Sequence, residues 1–224
     1  MQMSWAQTVN IAKMTEGSFR SIAGYASESL VVGRAMLCGY IIFVKAWRDS
    51  KYDAVLDANG SLFRIEIKGT SGDKTISTSS GARSGEQISR DAESRERPLS
   101  KIDCDWLIAT TSMDSHCWII PIEFIEILGL LSISLSDLEK FKEKWDIFVS
   151  QDPNVQPYLK TGFRELSEYK ILQIASSLGI DSEISKEIFS FDPENKRKKK
   201  YSLPEKDRLV IAIWEKIFSN LPSK

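Results

Sequence analysis

The sequence contains very little histidine. His116 is the only histidine among 224 residues, which excludes metal sites and hydrolytic sites that need several histidines. A Ser-His-Asp triad stays formally possible, but His116 falls in HCWII, a segment with the pattern of a strand, where a lone histidine is more often structural. Any hydrolytic chemistry is therefore expected to depend on carboxylates, lysine and a hard cation.

Cysteines, long apolar runs and an excess of one charge are scarce as well. Cys38, Cys104 and Cys117 lack metal-ligand spacing, which suits reduced thiols, and no zinc site follows from them. No apolar run approaches a membrane span and the first residues lack a signal-peptide pattern, so we expect a cytoplasmic protein without membrane contact. The formal net charge of -1 gives no sign of a polyanionic partner, although basic residues can still cluster locally on the surface.

The most informative segment is YDAVLDANGSLFRIEIKG, residues 52–69. Two runs with alternating apolar residues flank Asn59-Gly60, the dipeptide best suited to a type I′ turn, and predict a β-hairpin. A two-residue turn at this dipeptide places Asp53 opposite Glu66. Because side chains alternate between the faces of a strand, Asp53, Glu66 and Lys68 share one face. The other face is apolar and carries Tyr52, Ala54, Leu56, Phe63, Ile65 and Ile67.

A helix is predicted before the hairpin, over about residues 21–38, and Gly39 ends it. Glu28 lies on the apolar stripe of this helix, which is formed by Val31, Val32 and Ala35. A carboxylate on an apolar stripe is costly unless it has a partner or a ligand. Glu28 is therefore a candidate functional residue, and the alternative is that it reaches solvent at the edge of the stripe.

Further strands complete the sheet. Residues 41–47 predict a first strand, and nearly continuous apolar runs at 106–111 and 116–120 predict two strands buried between helices. Between the hairpin and these two strands, residues 70–87 are rich in Ser, Thr and Gly and predict a long loop. The predicted fold class is α/β, with a mixed sheet of about five strands flanked by helices.

The C-terminal part predicts helices instead. Ser136 and Glu139 have the spacing of a capping box, followed by an apolar stripe of Leu138, Phe141, Trp145 and Phe148. Further helices are predicted over residues 164–178, 182–189 and 205–218. We expect a core over 1–130 and a helical region over 131–224 that serves DNA recognition or dimerisation.

Two segments of the helical region have open interpretations. Residues 171–188 partly resemble a helix-turn-helix, but Ser185 occupies a position that is usually apolar and the second helix is acidic, so plain helix packing is favoured. Residues 196–200, KRKKK, are typical of a solvated loop. They could also contact a phosphate backbone or, in a eukaryotic setting, act as an import signal.

The polar face of the hairpin has the chemistry of a cation site. Carboxylates opposite one another on paired strands have Cβ atoms roughly 5 Å apart, a separation that Mg²⁺ can bridge. The carbonyl of Ile67 offers another hard oxygen ligand, and Lys68 could orient a water for phosphodiester hydrolysis. The alternative is an exposed face with ordinary ion pairs, Lys68 with Glu66 and Arg64 with Asp57.

The set Glu28, Asp53 and Glu66-Ile67-Lys68 resembles the PD-(D/E)xK nuclease superfamily. The resemblance covers about residues 21–121, and Tyr52 replaces the proline of the motif. It implies a restriction-endonuclease-like core, Mg²⁺ as cofactor, and 5′-phosphate and 3′-hydroxyl products. By that resemblance Glu28, Asp53, Glu66 and Lys68 are catalytic, and Asp53, Glu66 and Ile67 bind the metal.

The long loop favours a sequence-specific enzyme within this superfamily. Lys74, Arg83, Gln87 and Arg90 lie in or just beyond it and suit contacts to phosphates and base edges, although a flexible surface loop is the alternative. We therefore expect a type II restriction endonuclease that cuts double-stranded DNA as a homodimer. The alternatives are a structure-selective or homing nuclease of the same fold, or an inactive DNA-binding protein.

Overall fold

One long helix followed by strands forms the first half of the described chain, and helices dominate the second half. A computed structural model describes residues 15–46, 50–70, 75–80, 96–111, 114–180 and 205–222. Its elements are α1 (Glu16–Leu37), β1 (Ile41–Val44), β2 (Ala54–Ala58), β3 (Ser61–Thr70), β4 (Thr75–Ser77), β5 (Ser79–Ser80), β6 (Arg97–Pro98), β7 (Trp106–Thr111), β8 (Cys117–Pro121), α2 (Ile122–Leu128), β9 (Ser132–Ser134), two 3₁₀ helices (Leu135–Phe141 and Trp145–Val149), α3 (Gln156–Thr161), α4 (Glu168–Ser177) and α5 (Glu205–Asn220).

The main sheet is mixed and has five strands in the order β1-β2-β3-β7-β8. Neighbouring strands are antiparallel except β3 and β7, which are parallel. Since α1 packs against β1, β3 and β7 while helices of the C-terminal half pack near β8, the sheet is flanked by helices. The predicted α/β fold class is confirmed.

The predicted hairpin is confirmed in its turn and, from Ala54 to Ala58, in its register. Asn59 and Gly60 have φ angles of 54° and 85°, the two positive values that a type I′ turn requires. The partners run from Ala54 opposite Ile65 to Ala58 opposite Ser61. The side chains of the predicted apolar face are buried from Ala54 to Ile67, while Tyr52 is half-buried.

The sheet core is formed by the strands that the apolar runs predicted. Every residue of β7 and β8 is buried, as expected where helices cover both faces. The strand predicted over 116–120 begins one residue later, so His116 precedes it and is partly exposed. The predicted loop 70–87 also contains short structure, because β4 pairs with β9 and β5 pairs with β6.

The helix predicted from the capping box at Ser136 is wrong. Its apolar stripe is buried, but the segment forms two 3₁₀ helices, the first of which begins at Leu135 without a side-chain cap. Glu143 lies between the two 3₁₀ helices and has a positive φ of 54°. Its N–H donates to the carbonyl of Cys117 at 2.7 Å. Pairing with β8 therefore overrides helix propensity at this point.

The C-terminal helices pack directly on the sheet. The ring of Trp214 in α5 lies 6.1 Å from that of Trp106 in β7 and 4.9 Å from that of Phe163. Helix α4 begins at Glu168, four residues later than predicted, because Ser167 caps it through the N–H of Lys170.

The division at residue 130 stays a prediction. The second helix of the helix-turn-helix-like segment and the basic run lie outside the described residues.

A buried carboxylate joins the two halves of the chain. Glu123 in α2 is 6% exposed, and burial raises its pKa to about 7 although Lys101 opposes the shift. Lys101 lies 3.8 Å from Glu123 and also donates to the carbonyl of Thr161 at 2.9 Å and to Glu165 at 3.2 Å.

No helix among the described segments has the length and apolar character to cross a bilayer.

Replacing Glu123 by Gln should remove a loss of stability at high pH. The folded protein keeps the Glu123 proton up to a pH of about 7, above the ordinary value of 4.5, so stability falls as the pH rises through this window. At pH 8 the variant should be more stable, by at most about 3 kcal/mol, and near pH 4 the two should be equal. Urea unfolding at both pH values measures this. Glu165→Gln, at the exposed end of the same cluster, is the control that should show little change, and equal pH dependence in all three proteins would contradict the prediction.

Candidate functional site

The candidate site forms where β2 begins, and Asp53 is its most constrained residue. Asp53 is 8% exposed. Its Oδ2 accepts a hydrogen bond from the N–H of Ile67 at 2.8 Å, and its Oδ1 contacts the ammonium of Lys45. The carboxylate is thus held by a strand amide on one side and a cation on the other.

The ladder of the hairpin changes register at Asp53. Its N–H donates to the carbonyl of Ile65 at 2.8 Å, although Ile65 is already the partner of Ala54. Two residues of one strand therefore face one residue of the other, as in a β-bulge. The prediction that Asp53 lies directly opposite Glu66 is therefore wrong, because the pairing is displaced by one residue at this point. The displacement directs the Asp53 carboxylate towards the amide of Ile67.

Glu66 and Lys68 project from β3 beside Asp53. Lys68 Nζ donates to Glu66 Oε1 at 2.7 Å, and the Glu66 side chain is 13% exposed. Burial raises the pKa of Glu66, Lys68 opposes the shift, and the charge of Asp53 raises it further. Two poorly solvated carboxylates therefore lie close enough to repel one another.

Glu28 belongs to the same electrostatic cluster. It is half-buried on α1, and burial and the charge of Asp53 raise its pKa, whereas Lys45 and Lys68 lower it. The helix and the hairpin approach closely at Gly69, where an added Cβ would lie 1.9 Å from Oγ of Ser27. A glycine at this position therefore lets α1 present Glu28 to the site.

Lys45 was missed as a candidate residue. It follows β1, and its N–H donates to the carbonyl of Asp53 at 3.0 Å while its side chain binds the Asp53 carboxylate. Burial lowers the pKa of Lys45, but the contact with Asp53 outweighs this and the net shift is upward. One signal was present, because Lys45 is the only charged residue between Arg34 and Arg48.

The alternative of an exposed face with ordinary ion pairs is wrong in two respects. Arg64 pairs with Asp105, at 2.7 Å from Oδ1 and 3.1 Å from Oδ2, and Asp57 instead accepts the N–H of Gly60 at 2.7 Å. The pair of Glu66 and Lys68 does form. However, the carboxylates of Glu66 and Asp53 are largely buried, and an unpaired charge in such a position is costly.

The oxygen donors of the site suit a hard cation, but two lysine ammonium groups already contact them. Asp53, Glu66 and the carbonyl of Ile67 offer oxygen atoms, the ligands that Mg²⁺ prefers. Within the described ranges, no three acidic, histidine or cysteine side chains are grouped to hold a metal ion. Lys45 and Lys68 occupy carboxylate oxygens, so a cation would bind only as these ammonium groups turn aside.

The residues predicted to contact DNA cannot be placed. Lys74, Arg83, Gln87 and Arg90 all lie outside the described residues. Their proposed role therefore stays a prediction.

Comparison with known proteins finds a distant structural similarity. No family model and no curated protein matches the sequence. Among solved structures, a bacterial homing endonuclease is similar, with a TM-score of 0.43 and 17% sequence identity over 51% of this chain and 76% of that chain.

Replacing Gly69 by Ala should push α1 away from the hairpin. The added methyl group would meet Oγ of Ser27 at 1.9 Å and its Cβ at 2.5 Å, so we expect a loss of about 1–3 kcal/mol in the free energy of unfolding. Denaturant unfolding measures it. Gly33→Ala is the matched control in α1, because an added Cβ there meets nothing within 4 Å, and it should stabilise the helix by up to about 1 kcal/mol. Equal effects of both changes would contradict the account.

Proposed function

We propose that the protein is a Mg²⁺-dependent endonuclease that hydrolyses phosphodiester bonds of double-stranded DNA and leaves 5′-phosphate and 3′-hydroxyl ends. The observation that carries the proposal is the burial of the Asp53 and Glu66 carboxylates beside one another, with Lys45 and Lys68 as their counter-charges. Such a cluster is costly for a protein that uses it only for structure.

The side chains divide the work between holding a cation and handling a water. Asp53, Glu66 and the Ile67 carbonyl would hold Mg²⁺, which supplies stabilisation of negative charge on the scissile phosphate. Lys68 donates a hydrogen bond to Glu66 at 2.7 Å. After turning away from Glu66, the Lys68 ammonium would be able to orient the attacking water. Glu28 would orient a water or bind a second cation. Protonation of Glu28 or Glu66 weakens cation binding, and their raised pKa values extend this loss above the usual range of carboxylates.

Lys45 has a separate role in this scheme. Its ammonium neutralises the Asp53 carboxylate, because an unpaired buried carboxylate would destabilise the fold. Lys45 is thus a positioning residue for Asp53, and its ammonium would have to turn aside for a cation to bind there.

The more specific proposal is a type II restriction endonuclease acting as a homodimer in the cytoplasm. The buried thiols of Cys104 and Cys117, which form no disulfide, suit a reducing compartment. A structure-selective or homing nuclease is the alternative with the same chemistry. Preference for four-way junctions over linear duplex would favour a structure-selective enzyme, and a single long recognition sequence would favour a homing enzyme.

Purified protein with Mg²⁺ should cut a mixed-sequence plasmid into discrete fragments. Lys68→Ala and Asp53→Ala should each lower the cleavage rate by at least about a hundredfold, measured by gel electrophoresis, with the ends then sequenced. Lys142→Ala is the matched control, because Lys142 is as exposed as Lys68, at 27%, and also contacts a glutamate. Its cleavage rate should equal that of the wild type.

Three outcomes would count against this function. Random degradation would contradict sequence specificity. Absence of cutting with every divalent cation, or cutting that survives Lys68→Ala and Asp53→Ala, would favour a DNA-binding protein without turnover.

A further inference from the structure

The two edges of the main sheet are protected very differently. Strand β8 is buried throughout, the backbone of Lys142 bridges to Trp118 beside it, and Pro121 ends it. Strand β1 pairs only with β2 among the described strands. Its Ile41, Phe43 and Val44 side chains are 60%, 56% and 63% exposed.

The exposed edge continues into the end of α1. Met36 and Leu37 are 62% and 83% exposed and lie just before the turn that leads into β1. The ten residues 35–44 include no charged residue and no proline, although these are the residues that natural edge strands use to prevent pairing with other chains. We call Met36, Leu37, Ile41, Phe43 and Val44 the edge patch.

The edge patch is large enough for an interface. Five large apolar side chains that are each more than half exposed present on the order of 500 Å² per chain, at the upper end of what a monomer leaves in water. Two such patches facing each other would bury about 1,000 Å², which is the lower limit for a specific interface.

We propose that the edge patch docks a second copy of this chain, with β1 pairing antiparallel to β1 of the partner. Antiparallel pairing of a strand with itself is two-fold symmetric, so one patch serves both chains. The patch is uncharged and therefore complements itself without a charge left unpaired, whereas an acidic or basic partner would find no counter-charge. The two five-stranded sheets become one continuous sheet.

This interface would set the spacing of the two candidate sites, a consequence that rests on the proposed nuclease function. Lys45 directly follows β1 and binds Asp53 at the start of β2, so each site lies one strand away from the interface. Three strand spacings separate the β2 strands of the two chains, about 14 Å across the sheet. The dimer would thus present two hydrolytic sites on one side of a duplex, one for each DNA strand.

Analytical ultracentrifugation of the full chain over a concentration series tests the interface without DNA. The wild type should be a dimer, and Ile41→Lys and Phe43→Lys should each weaken its dissociation constant by at least about a hundredfold. Ile102→Lys is the matched control, since Ile102 is 69% exposed but lies outside the edge patch, and it should dimerise as the wild type does. Circular dichroism should show each variant to be folded, as expected for changes at exposed side chains.

Several results would overturn this inference. A monomeric wild type would do so, as would dimers that persist in Ile41→Lys and Phe43→Lys alike. A monomer that dimerises only after deletion of residues 1–14 would show that this segment, not a second copy, covers the edge. Failure of the nuclease proposal is distinguishable: a dimer without cleavage leaves the interface intact, whereas a cleaving monomer refutes the interface and the homodimer but not the hydrolytic activity.

Discussion

The structure around the candidate site depends on one electrostatic constraint, the burial of Asp53 and Glu66 close together. Neighbouring carboxylates in a poorly solvated place repel one another, and burial opposes the charge of each. The protein offsets this with Lys45, Lys68 and the amide of Ile67. The bulge at the start of β2 and the close approach of α1 at Gly69 both bring groups to this cluster.

Much of the hairpin could be predicted because its signals are local. Asn59-Gly60 determines both the turn and the register, and apolar alternation identifies the core face. These features placed Glu66 and Lys68 correctly on one strand and brought Asp53 close to them. The step at Asp53 could not be predicted, because it depends on hydrogen bonds to two neighbouring strands that the local pattern does not record.

Other features could not be predicted because they depend on distant contacts. The segment around Glu143 has a helical apolar stripe, yet its backbone pairs with β8 and breaks the helix. Lys45 becomes a partner of Asp53 only when β1 and β2 pair, and the local sequence does not indicate this contact. Burial of Glu123 likewise requires the C-terminal half to pack over α2.

The central claim is that Asp53 and Glu66 form a cation site, with Lys45 and Lys68 as its counter-charges. Calorimetric titration of Mg²⁺ into the wild type, Asp53→Asn and Asp57→Asn tests it most directly. Asp57 lies on the same strand but caps the hairpin turn through Gly60, so Asp57→Asn controls for loss of one carboxylate. The account predicts saturable binding to the wild type and to Asp57→Asn, with binding lost in Asp53→Asn. Equal binding by all three proteins, or no binding to the wild type, would contradict it.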